Sequence, residues 1–93
     1  MIYELAIHPD AEREWSKLDD ALKRRFKQKL LKERHTNPRI AKDALHDVPD
    51  TYKIEITRPQ LTLAYHVNDK TRCVTLLAVS SRDDVYELLK LRK

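Results

Sequence analysis

The 93-residue chain contains no glycine and a single cysteine, Cys73. Without glycine, a turn that needs a positive φ must use a side chain that tolerates the left-handed region, and Asn68-Asp69 is the natural candidate. One thiol excludes an internal disulfide and leaves no cysteine cluster to hold a metal. Cys73 opens the apolar run CVTLLAV, where a buried and inert thiol is expected. No apolar run approaches the length of a membrane span, and the N-terminus has no signal-peptide core. These absences leave the expectation of a cytoplasmic protein with no membrane contact, no metal and no cofactor.

What is present is charge. Charged residues make up 37% of the chain, the formal net charge is +4 and the pI is near 9.3, a balance that suits a polyanionic partner. The excess is local. Between Lys17 and Arg34 the basic positions are 17, 23, 24, 25, 27, 29, 32 and 34, against acidic positions 19, 20 and 33. Ninety-three residues support one modest core, so residues 1–93 are expected to form a single domain.

Periodicity predicts the order β-α-α-β-β-β-α. Residues 2–7 (IYELAI) read as a strand stopped by His8-Pro9, and proline suits the first turn of a helix carrying Ala11, Trp15 and Leu18. Asp19 or Asp20 can cap a second helix with an apolar stripe of Leu22, Phe26, Leu30 and Leu31. Asn37-Pro38 ends it. Two helices joined so closely must fold back as a hairpin and lay their stripes on something apolar. TYKIEI and LTLAYHV then alternate as strands around Arg58-Pro59-Gln60, and CVTLLAV is apolar enough to be a central strand. Ser80 or Ser81 can cap a short final helix that turns Val85, Leu88 and Leu89 inward. The predicted class is α+β: a mostly antiparallel four-stranded sheet, a helical hairpin on one face, and a short C-terminal helix.

In the alternating strands, Tyr52, Ile54 and Ile56 go under the hairpin and Lys53 and Glu55 project from the other face, about 6–7 Å apart. With helices on one side only, that face is expected to be open. A solvated surface with an ion pair worth a few tenths of a kcal/mol is one reading of these charges.

The second reading comes from a resemblance. Glu14-Trp15-Ser16-Lys17-Leu18, Asn37-Pro38-Arg39, Pro49-Asp50-Thr51-Tyr52-Lys53-Ile54, Leu63-Ala64-Tyr65-His66-Val67 and Arg82…Val85-Tyr86 follow the order found in the RelE family of bacterial toxins. The similarity spans essentially the whole chain. It implies a ribosome-dependent, metal-free endoribonuclease that cuts messenger RNA in the A site by attack of the ribose 2′-hydroxyl, silenced by a RelB-like antitoxin. Carried over by position, Lys53 is the phosphate-stabilising lysine, Arg82 serves the leaving oxygen and Tyr86 orients or stacks on the substrate. The resemblance also shows two departures. Glu55 stands where strongly active members carry a second lysine, and Thr62 where they carry arginine. Glu55 is then the candidate base, with His66 able to take a proton and Arg58 able to reach toward the missing arginine. Lys23, Arg24 and Lys27 of the basic helix are expected to contact RNA phosphates. The departures keep two alternatives open: a non-nuclease toxin of the ParE branch that acts on gyrase, and an inactive toxin that only binds its antitoxin.

Overall fold

In the computed structural model, which describes residues 3–30, 38–40, 43–45 and 48–92, the expected order is present. The elements are β1 (Glu4–Ile7), α1 (Pro9–Ser16), α2 (Asp20–Lys29), β2 (Thr51–Ile56), β3 (Leu61–Asn68), β4 (Cys73–Ser80) and α3 (Arg82–Leu91). The sheet order is β1-β4-β3-β2, with β1 parallel to β4 and the other pairs antiparallel. The apolar run is therefore an interior strand. Expectations for Ile2, Leu31 and Asn37 fall outside the described residues.

Side chains start the helices. His8 accepts from the Asp10 N–H through Nδ1 at 3.1 Å, with Pro9 in the first turn of α1. Asp19 accepts from the Leu22 N–H at 2.8 Å and caps α2. Ser81 occupies the cap position of α3, but its hydroxyl makes no capping bond.

The hairpin covers one sheet face. Phe26 of α2 and Leu30 just past its end are buried over Ile54, Leu63, Tyr65 and Val74, and Trp15, Leu18 and Leu22 pack at the margin. The Trp15 and Phe26 rings lie 6.2 Å apart. Tyr65 is fully buried; its ring stacks on Tyr52 at 5.8 Å and its hydroxyl donates to the Pro38 carbonyl at 2.6 Å. A buried phenol needs such an acceptor.

The opposite face is not open, as one-sided helices had suggested. Helix α3 folds back across it, and Val85 and Leu89 pack on Ala64, Leu77, Ala78 and Leu45. Two features allow this. Ala64 and Ala78 are small and pair directly. The register then shifts so that Tyr65 pairs with Leu76, which leaves Leu77 as an extra residue in β4. That bulge points Leu77 and Ala78 to α3 while Leu76 and Val79 stay with the hairpin. What remains polar on this side includes Lys53 and Glu55 on the edge strand β2.

The turns depart from expectation in the same local way. Positive φ occurs at Asp50 (55°), Arg58 (57°) and Arg72 (54°), not at Asn68 or Asp69. Asn68 works through its side chain, accepting from the Lys70 and Thr71 N–H groups at 3.0 and 3.2 Å, so the left-handed residue moves to the end of the turn. Asp69 is engaged by Arg39 at 2.7 Å and by the Tyr3 hydroxyl at 2.7 Å, and Arg39 holds its carboxyl below the usual carboxylate range. Cys73 is half-buried, 3.6 Å from the Thr75 hydroxyl, because it begins β4 outside both apolar clusters.

Strand β1 pairs with Cys73 to Leu76 only, so the rest of β4 on that side has no strand beside it. Side chains take its place. Glu14 of α1 accepts from the Val79 N–H at 3.1 Å, and Arg92, just past α3, donates to the Leu77 carbonyl at 3.0 Å. The two side chains form a forked pair of 2.9 and 2.6 Å, with side chains only 19% and 10% exposed.

Candidate active site

Two rows cross the α3 side of the sheet. One runs Lys53, Ala64, Ala78; the other runs Glu55, Thr62, Ser80. Ser80 ends β4 and Ser81 occupies the cap position before α3, so two inter-strand steps, about 10 Å, lead from Glu55 to Ser80, two residues before Arg82. Tyr86 follows one helical turn later and is 37% exposed. The chain thus puts Lys53 and Glu55 on the sheet face against which α3, the helix that carries Arg82 and Tyr86, packs.

Their pairing is uneven. Lys53 donates from Nζ to Glu55 Oε1, with both side chains partly buried, so its charge is matched within the site. Arg82 is exposed and makes no hydrogen bond or ion pair among the described residues, although Asp83 and Asp84 follow it. The Tyr86 hydroxyl makes no hydrogen bond among the described residues. Arg82 is therefore the unneutralised cation of the group.

Thr62 is the residue that sequence reasoning passed over, because it registered only as an absent arginine. It is 3% exposed, and its hydroxyl is the buried side-chain oxygen without a hydrogen-bond partner among the described residues. The strand alternation placed it on the polar face; nothing short of the register places it opposite Glu55.

The other predicted residues are distributed elsewhere. His66 pairs across the sheet with Thr51 and Thr75, two residues beyond Ala64. There it lines a cleft of about 420 Å³ with His8, Thr51, Thr75 and Arg92, beyond the Ala64–Leu77–Leu89 patch, and four residues of strand (about 13 Å) separate it from Thr62. Arg58 is exposed in the β2–β3 turn, three residues from Glu55. Lys23, Arg24 and Lys27 ride on α2, in the layer behind the sheet, and Lys27 borders a groove with Leu5 and Trp15. The structure does not join these three to Lys53.

Two of their basic neighbours have structural work. Arg25 donates to the carbonyls of Thr57 and Arg58 at 2.7 and 3.2 Å, and Lys29 donates to the Glu55 carbonyl at 3.0 Å. Part of the positive surplus thus fastens α2 to the end of β2. No group of three or more metal-ligating side chains occurs among the described residues, and no described helix is long and apolar enough to cross a membrane.

Comparison with known proteins covers nearly all of this architecture. The profile of a family described as ParE-like toxin of type II bacterial toxin-antitoxin system matches residues 5–90. A RelE-like toxin protein of Escherichia coli is 36% identical over 94 residues, covering 99% of this chain and 98% of that one. The mRNA interferase toxin RelE of Escherichia coli is 34% identical over 83 residues, covering 89% of this chain and 86% of that one. A chain of the intact E. coli RelBE toxin-antitoxin complex superposes with a TM-score of 0.81 at 33% identity, with 85% of this chain and 95% of that one covered.

Proposed function

The chain belongs to the ParE-like toxin family of type II bacterial toxin–antitoxin systems, and from that premise we propose that it is a ribosome-dependent endoribonuclease that cuts messenger RNA in the A site and inhibits translation. Its partners on this reading are the ribosome, its messenger and a RelB-like antitoxin. The likeness to a named mRNA interferase and to a chain of a RelBE complex supports the assignment. The observation that supports it is that Lys53 lies on the sheet face against which α3, carrying Arg82 and Tyr86, packs, with Arg82 unpaired among the described residues.

The reaction asks little of the protein beyond charge and protons. The ribose 2′-oxygen attacks the adjacent phosphorus, the bond to the 5′-oxygen breaks, and the products are a 2′,3′-cyclic phosphate and a free 5′-hydroxyl. Glu55 accepts the 2′-hydroxyl proton. Lys53 stabilises the non-bridging oxygens of the phosphorane, Arg82 supports the departing 5′-oxygen, which takes its proton from water, and Tyr86 stacks on a neighbouring base. Lys53 must leave Glu55 to bind phosphate. That exchange, together with threonine at position 62, makes this a slower enzyme than one with two further cations.

The test is cleavage of messenger on programmed ribosomes, with cyclic-phosphate ends mapped at A-site codons. Arg82→Ala is expected to lower the rate by roughly 10²–10³-fold. The matched charge of Lys53 favours the second reading, a toxin that acts without cutting RNA. Intact messenger at toxic doses with stalled gyrase would establish that reading. Intact messenger and normal gyrase with tight antitoxin binding would reduce the protein to its regulatory role.

A further inference from the structure

We infer that Thr62 is a positioning residue that draws Glu55 off Lys53 when a phosphate arrives, so that the site converts from a neutral pair to a phosphate-holding lysine. The inference rests on the phosphate-binding role given to Lys53 above. Three observations carry it. Lys53 Nζ is held by Glu55 Oε1. Thr62 is the direct cross-strand partner of Glu55, which puts their Cβ atoms about 5 Å apart on the same face. The Thr62 hydroxyl is buried and has no hydrogen-bond partner among the described residues.

A buried hydroxyl without an acceptor is a standing cost, and it is relieved when an acceptor swings to it. Rotation of the Glu55 side chain away from Lys53 brings a carboxylate oxygen toward that hydroxyl. The ammonium loses one anion and gains another, the phosphate. The carboxylate loses an ammonium donor and gains a hydroxyl donor, and it is no longer wedged between Lys53 and the incoming negative charge. One oxygen of Glu55 stays free to take the 2′-hydroxyl proton. Lys53, Glu55 and Thr62 then each have a partner in the loaded state.

The test uses the full-length protein and inorganic phosphate at constant ionic strength, with binding followed by NMR of the Lys53 ammonium and the β2 amides. Thr62→Val keeps the shape and removes only the hydroxyl. It is expected to weaken phosphate binding by about five- to tenfold, and Thr62→Ser to restore it. In a Glu55→Ala background, where nothing masks Lys53, Thr62→Val is expected to have no effect. Phosphate bound by Thr62→Val as tightly as by the unaltered protein, or an equal loss with Glu55 absent, would overturn the inference. So would a lower unfolding midpoint for Thr62→Val, which would mean that the hydroxyl already has a partner. These readouts do not require RNA cleavage. Silence on programmed ribosomes with the phosphate pattern intact removes the nuclease and leaves the exchange standing; cleavage with no Thr62 dependence does the reverse.

Discussion

The two faces of the sheet are built by opposite means. On the hairpin face, large side chains interdigitate, Phe26 and Tyr65 are fully buried, and the cations Arg25 and Lys29 end on backbone carbonyls. On the α3 face, small residues let a helix approach, two side chains of that helix are fully buried, and Lys53, Glu55 and Thr62 are left beside it. The first face is a core with its charges assigned to fastening. The second is a thin contact beside which Lys53 and Glu55 pair with each other rather than with the backbone. A count of basic residues does not distinguish these uses, and the richest basic stretch of the sequence is mostly on the side that is not the candidate site.

Mutations should separate the faces. Phe26→Ala, at the centre of the thick face, is expected to cost about 3–5 kcal/mol in chemical denaturation, since it leaves a cavity that packed neighbours cannot close. A cost below 1 kcal/mol would mean that the hairpin is no more essential than α3. Arg92→Ala breaks the forked pair with Glu14 and strands a partly buried carboxylate. About 2–3 kcal/mol is expected, less than for a fully buried pair because both side chains keep some contact with water. Hydrogen exchange should then show faster opening of α3 while the β2–β3 amides stay protected. Equal loosening of both would erase the distinction between the faces. The smallest effect belongs to neither face: Arg72→Gly, at φ 54°, should stabilise the protein by up to about 1 kcal/mol by relieving a left-handed non-glycine residue.

Much of the fold was legible because local pattern determined it. Alternation in residues 51–67 identified both β2 and β3 and the faces of their side chains, and Asp19, one of the two aspartates offered as a cap, is the one that caps α2. The nearly continuous apolar run of β4 announced an interior strand with both faces largely covered. Its bulge at Leu77 was hidden, because a run without alternation carries no mark where its parity changes. That bulge is what seats α3 and closes the face expected to be open.

The site was legible only as a set of residue types. Which lysines face the same way follows from spacing; which carboxylate holds Lys53, and which hydroxyl stands across from it, depends on pairing between strands distant in sequence. His66 shows the limit. It shares the parity of Lys53, yet the α3 contact lies between it and the Glu55 row. Glu14 and Arg92 show the same limit over the longest span, since neither has a local feature that points to the other.

A helix loosens first at the end that is least attached. In this protein the residue just past the last turn, Arg92, carries the strongest grip, so the tail of α3 is the part that resists loosening. The opposite end is the looser one: the Ser81 hydroxyl makes no capping bond and Arg82 has no side-chain partner among the described residues, so a competitor finds its opening at the start of α3.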